Sequence, residues 1–352
     1  MSIQPLLQDL QALAVDYQAQ GYFPSLSLAV FNSQDMLFRF TLGEAREDSL
    51  FDIASLSKIF TATIVLRLID EGRFDLDTPL LALNETARQD SVLCEGLRGI
   101  TIYQLLTHTS TLPAWYPIYT QPDFYAALRE AILLERVDGM MYSDLNFMLL
   151  GQIVQDVYPT VAGESLLARA LCKPLFIKGA HDVMDESLRA RAIPSGYGNP
   201  EEEAVCAKMG LHFDRFRSHT PISGEVHDGN AHHAFYQQYA GHAGIFSDVE
   251  SLVTLCRYYL TTDSELLKSA QREQTQGRGL GFAVGEMYPK GCGHTGFTGT
   301  SLYLSRELDI GCVILSNRCF YKDLNYKPTK PFRKEAHQLV ADYAQAFTNL
   351  DA

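Results

Sequence analysis

Residues 51–61 read FDIASLSKIFT and contain a Ser-x-x-Lys motif at Ser55 and Lys58. If Ser55 opens a helix, Lys58 lies one turn further along on the same face, with its amine beside the Ser55 hydroxyl. A serine hydroxyl is a weak nucleophile until a base takes its proton, and a lysine whose pKa is lowered by its surroundings can be that base. The N-terminus of the helix adds N–H groups where an oxyanion would form. The stretch therefore predicts nucleophilic catalysis by Ser55.

Ser-x-x-Lys also arises by chance, as a helix-capping serine followed by a solvated lysine. The residues after the motif argue against solvation, because they are apolar nearly all round the helix until Gly72, which is expected to end it: Ile59, Ala62, Ile64, Val65, Leu66, Leu68 and Ile69. A lysine at the start of a buried helix needs a partner or a function.

The composition indicates a globular chain of one large domain or two smaller ones, with 352 residues and 46% hydrophobic residues. Its net charge of −13 argues against nucleic acid or anionic membrane as partners. The first ten residues lack a basic segment, so we expect no signal peptide. The seven scattered cysteines predict buried free thiols in a reducing compartment, and so a cytoplasmic location.

Hydrophobic patterns and capping signals predict the order of the elements. We expect a hairpin from 26–31 and 36–42, a capping box at Thr101 and Gln104, a helix from about Asp144, and a helix to about Leu260 opened by a capping box at Ser247 and Glu250. Three strands are expected at 279–288, 299–305 and 310–316, before a last amphipathic helix at about 332–347.

Strands at both ends with helices between them predict an α+β fold, in which the two ends of the chain form one antiparallel sheet flanked by helices. Residues 1–75 and 240–352 are predicted to form this sheet domain, and residues 76–239 an inserted all-helical domain.

Two further motifs follow Ser-x-x-Lys along the chain. Tyr142-Ser143-Asp144 precedes an apolar helix, and residues 294–299 read HTGFTG on an expected strand edge. Taken singly, the first is a turn before a helix cap and the second a Gly/Thr-rich hairpin. Together they resemble the serine β-lactamase and penicillin-binding superfamily, with its class C β-lactamases, D-alanyl-D-alanine carboxypeptidases and related esterases. That superfamily has Ser-x-x-Lys, Tyr-x-Asn and Lys/His-Thr-Gly in this order, and residues 101–113 and 240–247 are similar to its flanking segments.

The resemblance implies a β-lactamase/transpeptidase-like fold and a role for each matching residue. Ser55 would be the acylated nucleophile, Lys58 its proton-accepting partner and Tyr142 a second acid/base, although which of the last two takes the Ser55 proton stays open. The backbone N–H groups of Ser55 and Phe297 would form the oxyanion hole. The substrate-binding set would comprise Asp144, His294, Thr295, Gly296 and Trp115.

Two residues depart from the superfamily's pattern. Asp144 stands in place of asparagine, and a carboxylate beside Lys58 would raise the pKa of the amine and weaken it as a base, unless Tyr142 takes over, Asp144 is partly protonated or it points elsewhere. His294 stands in place of the lysine of many β-lactamases, and a neutral imidazole attracts a carboxylate less than an ammonium does. We therefore expect a more negative pocket that prefers esters or amides to penicillins.

The remaining candidate site residues also have ordinary structural interpretations. The histidines at 227, 232, 233 and 242 meet no metal-ligand spacing, so no metal and no cofactor is expected. His108 is interpreted as a structural hydrogen bonder, and Trp115 either lines the acyl pocket or packs in the core.

The sequence thus predicts a serine hydrolase that forms an acyl-enzyme on Ser55 with an ester or amide of a small acyl or peptide substrate, and with β-lactams as further candidates. A D-alanyl-D-alanine carboxypeptidase or class C-like β-lactamase is the alternative, disfavoured by the lack of an export signal. A catalytically silent relative that binds peptide or scaffolds an assembly is another, against which Ser55, Lys58 and Tyr142 speak together. No nucleic acid or membrane is expected as partner.

Overall fold

The computed structural model describes residues 3–134, 136–159, 161–236 and 238–348. Its strands are β1 Leu26–Phe31, β2 Met36–Leu42, β3 Phe51–Asp52, β4 Ala180–His181, β5 Gly196–Tyr197, β6 Pro221–Ile222, β7 Phe246–Ser247, β8 Ala283–Val284, β9 Cys292–Thr295, β10 Ser301–Ser305 and β11 Ile310–Ser316. Its helices are α1 Gln4–Ala19, α2 Ser57–Asp70, α3 Leu80–Leu83, α4 Glu85–Gln89, α5 Ser91–Gly96, α6 Ile102–Leu106, α7 Phe124–Leu134, α8 Asp144–Val157, α9 Glu186–Arg189, α10 Pro200–Lys208, α11 Val249–Thr261, α12 Glu265–Ala270 and α13 Lys330–Thr348.

Both ends of the chain build the main sheet, which has the order β2-β1-β11-β10-β9-β8 and antiparallel pairing throughout. The predicted hairpin is confirmed as β1 and β2, and Leu28 of β1 lies between Phe40 of β2 and Ile314 of β11. The predicted fold class, an antiparallel sheet flanked by helices, is therefore confirmed.

The two faces of the sheet bury different helices because side chains alternate along each strand. Leu28 and Val30 of β1 pack in a cluster with residues of α1 and α13, whereas Ala29 and Phe31 join a larger cluster with α2 and α11. The larger cluster continues without a break into α6 and α8. The division into residues 1–75 with 240–352 and residues 76–239 stays a prediction.

Two predictions of local structure are wrong. The strand expected at 279–288 is reduced to β8, because Gly281 and Gly285 take φ values of +86° and +121°, which end the extended conformation on either side. Ser247 does not cap α11 but lies in β7. The carboxylate of Asp248 accepts from the Ser251 N–H instead. The capping box at Thr101 and Gln104 is confirmed.

All seven cysteines are free thiols, six of them buried, which confirms the prediction about the thiols themselves. Among the described residues, no helix combines the length and the apolar character that crossing a membrane requires.

Candidate active site

The Ser55 hydroxyl lies on a tight turn that precedes α2. Residues 54–56 form a 3-10 turn, so the α-helix begins two residues after Ser55 and Lys58 stands in its first turn. Ala54 takes a φ of +47°, and its N–H donates to Asp52 at 2.8 Å, which holds this uncommon conformation. The turn leaves Ser55 partly exposed at the wall of a cleft while Lys58 is fully buried beneath it.

Lys58 faces three acceptors. Its Nζ lies 3.0 Å from Ser55 Oγ, 2.9 Å from the carbonyl oxygen of His242 and 2.7 Å from Asp144 Oδ1. Burial acts against the charge of this amine, but the carboxylate of Asp144 and the phenol of Tyr142 outweigh it and raise the Lys58 pKa. Two hydrogen bonds and one ion pair around the same nitrogen favour its ammonium form.

The Tyr142 ring is surrounded by two cations and two imidazoles. Lys58 Nζ lies 5.1 Å and the Arg278 guanidinium 5.0 Å from the ring centroid. The rings of His108 and His294 lie 4.6 Å and 5.8 Å away, and burial, reinforced by nearby cations, holds the pKa of both imidazoles well below the usual value. The cations therefore face the Tyr142 ring beside two neutral imidazoles.

His294 and Thr295 end β9 at an open edge. The neighbouring β8 pairs with Cys292 and Gly293, which leaves the edge free from His294 onward. A Cβ on Gly296 would lie 2.1 Å from Thr300 Oγ1 and 2.6 Å from the Ile53 carbonyl oxygen, so only glycine allows this edge to pack against the turn that carries Ser55.

The two amides expected to form the oxyanion hole belong to segments that are packed together. Thr298 Oγ1 donates to the Asp52 carbonyl at 2.7 Å and Thr300 Oγ1 to the Ile53 carbonyl at 3.0 Å. Within the described ranges, neither the Ser55 N–H nor the Phe297 N–H donates a hydrogen bond. Both amides are thus available to an oxyanion.

One part of the cleft, called here the basic wall, carries Arg333, but the lining also includes the carboxylates of Asp144, Glu201, Glu202, Asp228 and Glu286, so the expectation of a more negative pocket stays a prediction. Arg333 is 7% exposed, and its Nη2 donates to the Gly296 carbonyl at 2.7 Å. Its Nε and the nearby Thr329 Oγ1 are buried without a hydrogen-bond partner, and no carboxylate in the described part of the chain forms an ion pair with it. Burial lowers the Arg333 pKa to about 10. The other basic residues that line the cleft are Arg278, Arg318, Lys330 and Lys334.

A second ion pair lies beside the Lys58–Asp144 pair. His242 Nε2 lies 2.9 Å from Asp228 Oδ1, and ligand atoms of Asp144, Asp228 and His242 all lie within 4.8 Å of one another. Such a group can hold a metal ion, but the carboxylates here already face Lys58 and His242. The prediction of no metal and no cofactor stays a prediction.

Gly241 brings the His242 carbonyl to Lys58. Its φ is +80°, and a Cβ there would lie 2.3 Å from the Phe147 carbonyl of α8, so the segment packs directly on that helix. Thr61 Oγ1 also donates to the Gly241 carbonyl at 2.6 Å.

The cleft has a volume of about 1250 Å³, and the predicted site residues converge on it. Trp115 lines it half-buried, with its ring 6.4 Å from that of Tyr119. His108 Nδ1 accepts from the Ser143 N–H at 3.0 Å, as expected of a structural hydrogen bonder. The residues lining the cleft that had been predicted are Ser55, Tyr142, Asp144, His294, Thr295, Gly296, Phe297 and Trp115.

Sequence reasoning missed Arg278 and Arg333 and set Asp228 and His242 aside. Arg278 lies in a loop and Arg333 on a terminal amphipathic helix, where basic residues are ordinary. A histidine between Gly241 and Ala243 in an otherwise apolar stretch was the available signal for His242.

Comparisons with known proteins show similarity to one family and to one fold. A family model described as Beta-lactamase matches residues 10–330. The chain is 26% identical to an N-acetylmuramyl-L-alanine amidase of Bacillus subtilis over 77% of this chain and 68% of that protein. It is 22% identical to a putative D-alanyl-D-alanine carboxypeptidase of Salmonella heidelberg, over 86% and 81%. A class C β-lactamase structure from Rhodobacter sphaeroides superimposes with a TM-score of 0.69 at 17% identity, covering 97% of this chain and 99% of the other.

Proposed function

The chain belongs to the Beta-lactamase family and is a serine hydrolase, and on this premise we propose that it is an amidase that forms an acyl-enzyme on Ser55. The observation that carries the proposal is the contact of 3.0 Å between Lys58 Nζ and Ser55 Oγ, in a cleft that also contains Tyr142 and two free backbone amides.

In the acylation step, Ser55 Oγ attacks the substrate carbonyl while Tyr142 Oη takes the hydroxyl proton. Lys58 remains an ammonium and stabilises the negative charge on Oγ. This assignment follows from its three acceptors and raised pKa. The carbonyl oxygen becomes an oxyanion that accepts from the Ser55 and Phe297 amides. When the intermediate collapses, the C–N bond breaks and Tyr142 gives its proton to the leaving nitrogen.

Deacylation reverses the roles with water as the nucleophile. Tyr142 takes a proton from water, the hydroxide adds to the acyl carbonyl, and the C–O bond to Ser55 breaks. The proton returns to Ser55 Oγ, and the carboxylic acid leaves.

The basic wall supports a substrate that carries a carboxylate close to the scissile bond. Arg333 is a buried guanidinium with an unpartnered Nε, adjoining the Gly296 carbonyl at the substrate edge. A carboxylate accepts well from such a group. A cleft of about 1250 Å³ is larger than a simple ester needs. Together with relatives named as an amidase and a carboxypeptidase, these features support an amide of peptide size.

Four alternatives are separated by one set of assays. A D-alanyl-D-alanine carboxypeptidase would release the terminal residue of a D-alanyl-D-alanine peptide, a β-lactamase would hydrolyse nitrocefin, and an esterase would prefer p-nitrophenyl acetate. A silent binding relative would hydrolyse none of them. Our proposal predicts that N-acetyl-L-alanyl-L-alanine, whose C-terminal carboxylate is free, is hydrolysed with a higher kcat/KM than any of these three substrates.

Covalent labelling tests the nucleophile itself. A fluorophosphonate probe should label the wild-type protein and fail to label Ser55→Ala. Ser57→Ala is the matched control, since Ser57 Oγ accepts from the Ile245 N–H and lies in the same helix start. Labelling that persists in Ser55→Ala would contradict the proposal.

A further inference from the structure

The Asp228–His242 ion pair lies beside the Lys58–Asp144 ion pair of the site. Asp144 and Asp228 are two carboxylates whose oxygens lie within 4.8 Å of each other and of a His242 ring nitrogen. Lys58 contacts the first at 2.7 Å and His242 the second at 2.9 Å. Like charges this close are unfavourable in a buried site unless cations accompany both.

The charged groups that face His242 are Asp228, Asp144 and Lys58. Its side chain is 1% exposed, its Nδ1 lies 3.3 Å from the Ala240 carbonyl oxygen, and its ring centroid lies 6.1 Å from that of Phe235. Beyond Asp228, a buried set of Asp52, Glu202 and Arg217 acts on that carboxylate. Burial disfavours a charge on His242, but the Asp228 carboxylate outweighs it and raises the His242 pKa.

We propose that His242, as an imidazolium, is a positioning residue of this hydrolase: it balances the Asp228 carboxylate, so that Lys58 and Asp144 remain a neutral pair that can stabilise the negative charge forming on Ser55. The inference rests on the acyl-enzyme reaction proposed above. With a neutral imidazole, the four groups would hold two carboxylates and one ammonium, and the net negative charge would oppose the charge that forms on Ser55.

Three variants test this balance. His242→Gln keeps an N–H donor for Asp228 but removes the charge, Asp228→Asn removes the carboxylate, and the double variant removes both. The measurement is kcat/KM for p-nitrophenyl acetate between pH 5.5 and 9.5. His232→Gln is the control, because burial lowers its pKa to about 4 and it is expected to be neutral throughout.

The activity of the wild type should fall at alkaline pH as His242 loses its proton, which gives the pH profile an alkaline limb. The control His232→Gln should show the same limb. His242→Gln should lose about 10- to 100-fold at pH 6 and lack that limb. The double variant should recover most of this loss, because its remaining pair is neutral again. A merely structural role for His242 predicts the opposite, with the double variant as impaired as the single one.

Two outcomes would overturn the inference: a His242→Gln profile that keeps the alkaline limb, or a double variant that recovers nothing while its thermal unfolding matches the wild type. Fluorophosphonate labelling of Ser55 separates this failure from failure of the proposed function. If the wild type is labelled at Ser55 and the double variant recovers no activity, the proposed role of His242 is refuted while the proposed acyl-enzyme reaction stands.

Discussion

Replacing Arg333 with methionine should weaken substrate binding without weakening the fold. Arg333 is a buried cation with no carboxylate partner in the described part of the chain, and burial lowers its pKa from 12.5 to about 10. That displacement corresponds to about 3 kcal/mol disfavouring the charged form in the folded state. The variant also loses the hydrogen bond from Arg333 to the Gly296 carbonyl, which offsets about 1 kcal/mol of this gain in stability. The Gly296 carbonyl oxygen still accepts from the Gly299 N–H.

We therefore expect Arg333→Met to match or exceed the wild type in its free energy of unfolding by urea, by up to about 2 kcal/mol. A charge-assisted hydrogen bond to a substrate carboxylate is worth about 1.5–3 kcal/mol, so kcat/KM for N-acetyl-alanyl-alanine should fall about 10- to 150-fold. For the same compound with a C-terminal amide, the change should be less than about 3-fold.

Lys334→Met is the matched control. Lys334 lies on the same helix and lines the same cleft, but it is exposed and paired with Glu286 at 3.0 Å. Its loss should lower kcat/KM for the acid by less than about 5-fold. Equal losses of activity on the acid and the amide, or a clear destabilisation by Arg333→Met, would refute the reasoning.

Four other changes test the rest of the site. Asp144→Asn should lower the pKa of Lys58, measured by the pH dependence of its acetylation with acetic anhydride; an unchanged pKa would show that the carboxylate does not control the amine. Tyr142→Phe should lower kcat by about 10²- to 10⁴-fold, measured at saturating substrate, and near-normal turnover would leave Lys58 as the base. Gly296→Ala should lower the unfolding free energy by about 1–3 kcal/mol in a urea titration, because its Cβ has no space. Because the folded-state pKa of His242 is raised, its stabilising contribution is complete below about pH 6.5 and lost as the pH rises through that pKa. The stability gap between wild type and His242→Gln should accordingly be larger at pH 6 than at pH 9 in thermal unfolding, and a constant gap would contradict it.

Local signals in the sequence were sufficient to predict the structure where a residue type has one structural role, such as capping or ending a helix. The capping box at Thr101 and the helix end at Gly72 are such cases, and the apolar runs at 26–31 and 36–42 were likewise sufficient to predict the hairpin of β1 and β2. Ser247 does not cap α11, because the carboxylate of Asp248, one residue later, accepts from the Ser251 N–H at the start of that helix.

The site was predictable where a motif fixes spacing and unpredictable where tertiary packing supplies the residue. Ser55 and Lys58 are neighbours on one turn, whereas Arg333 reaches the cleft only because α13 packs across the sheet near Gly296. The sequence around Arg333 has no pattern that indicates its place in the cleft. The electrostatic character of the cleft could therefore not be derived from Asp144 and His294 alone.

The most direct test of the account is the mass of the intermediate. The protein is mixed with an N-acyl-alanine p-nitrophenyl ester, quenched in acid within milliseconds to seconds, and digested for peptide mass spectrometry. The account predicts the mass of the acyl group on the peptide containing Ser55, an adduct that persists longer in Tyr142→Phe and is absent in Ser55→Ala. Turnover without an adduct, or an adduct on another residue, would contradict it.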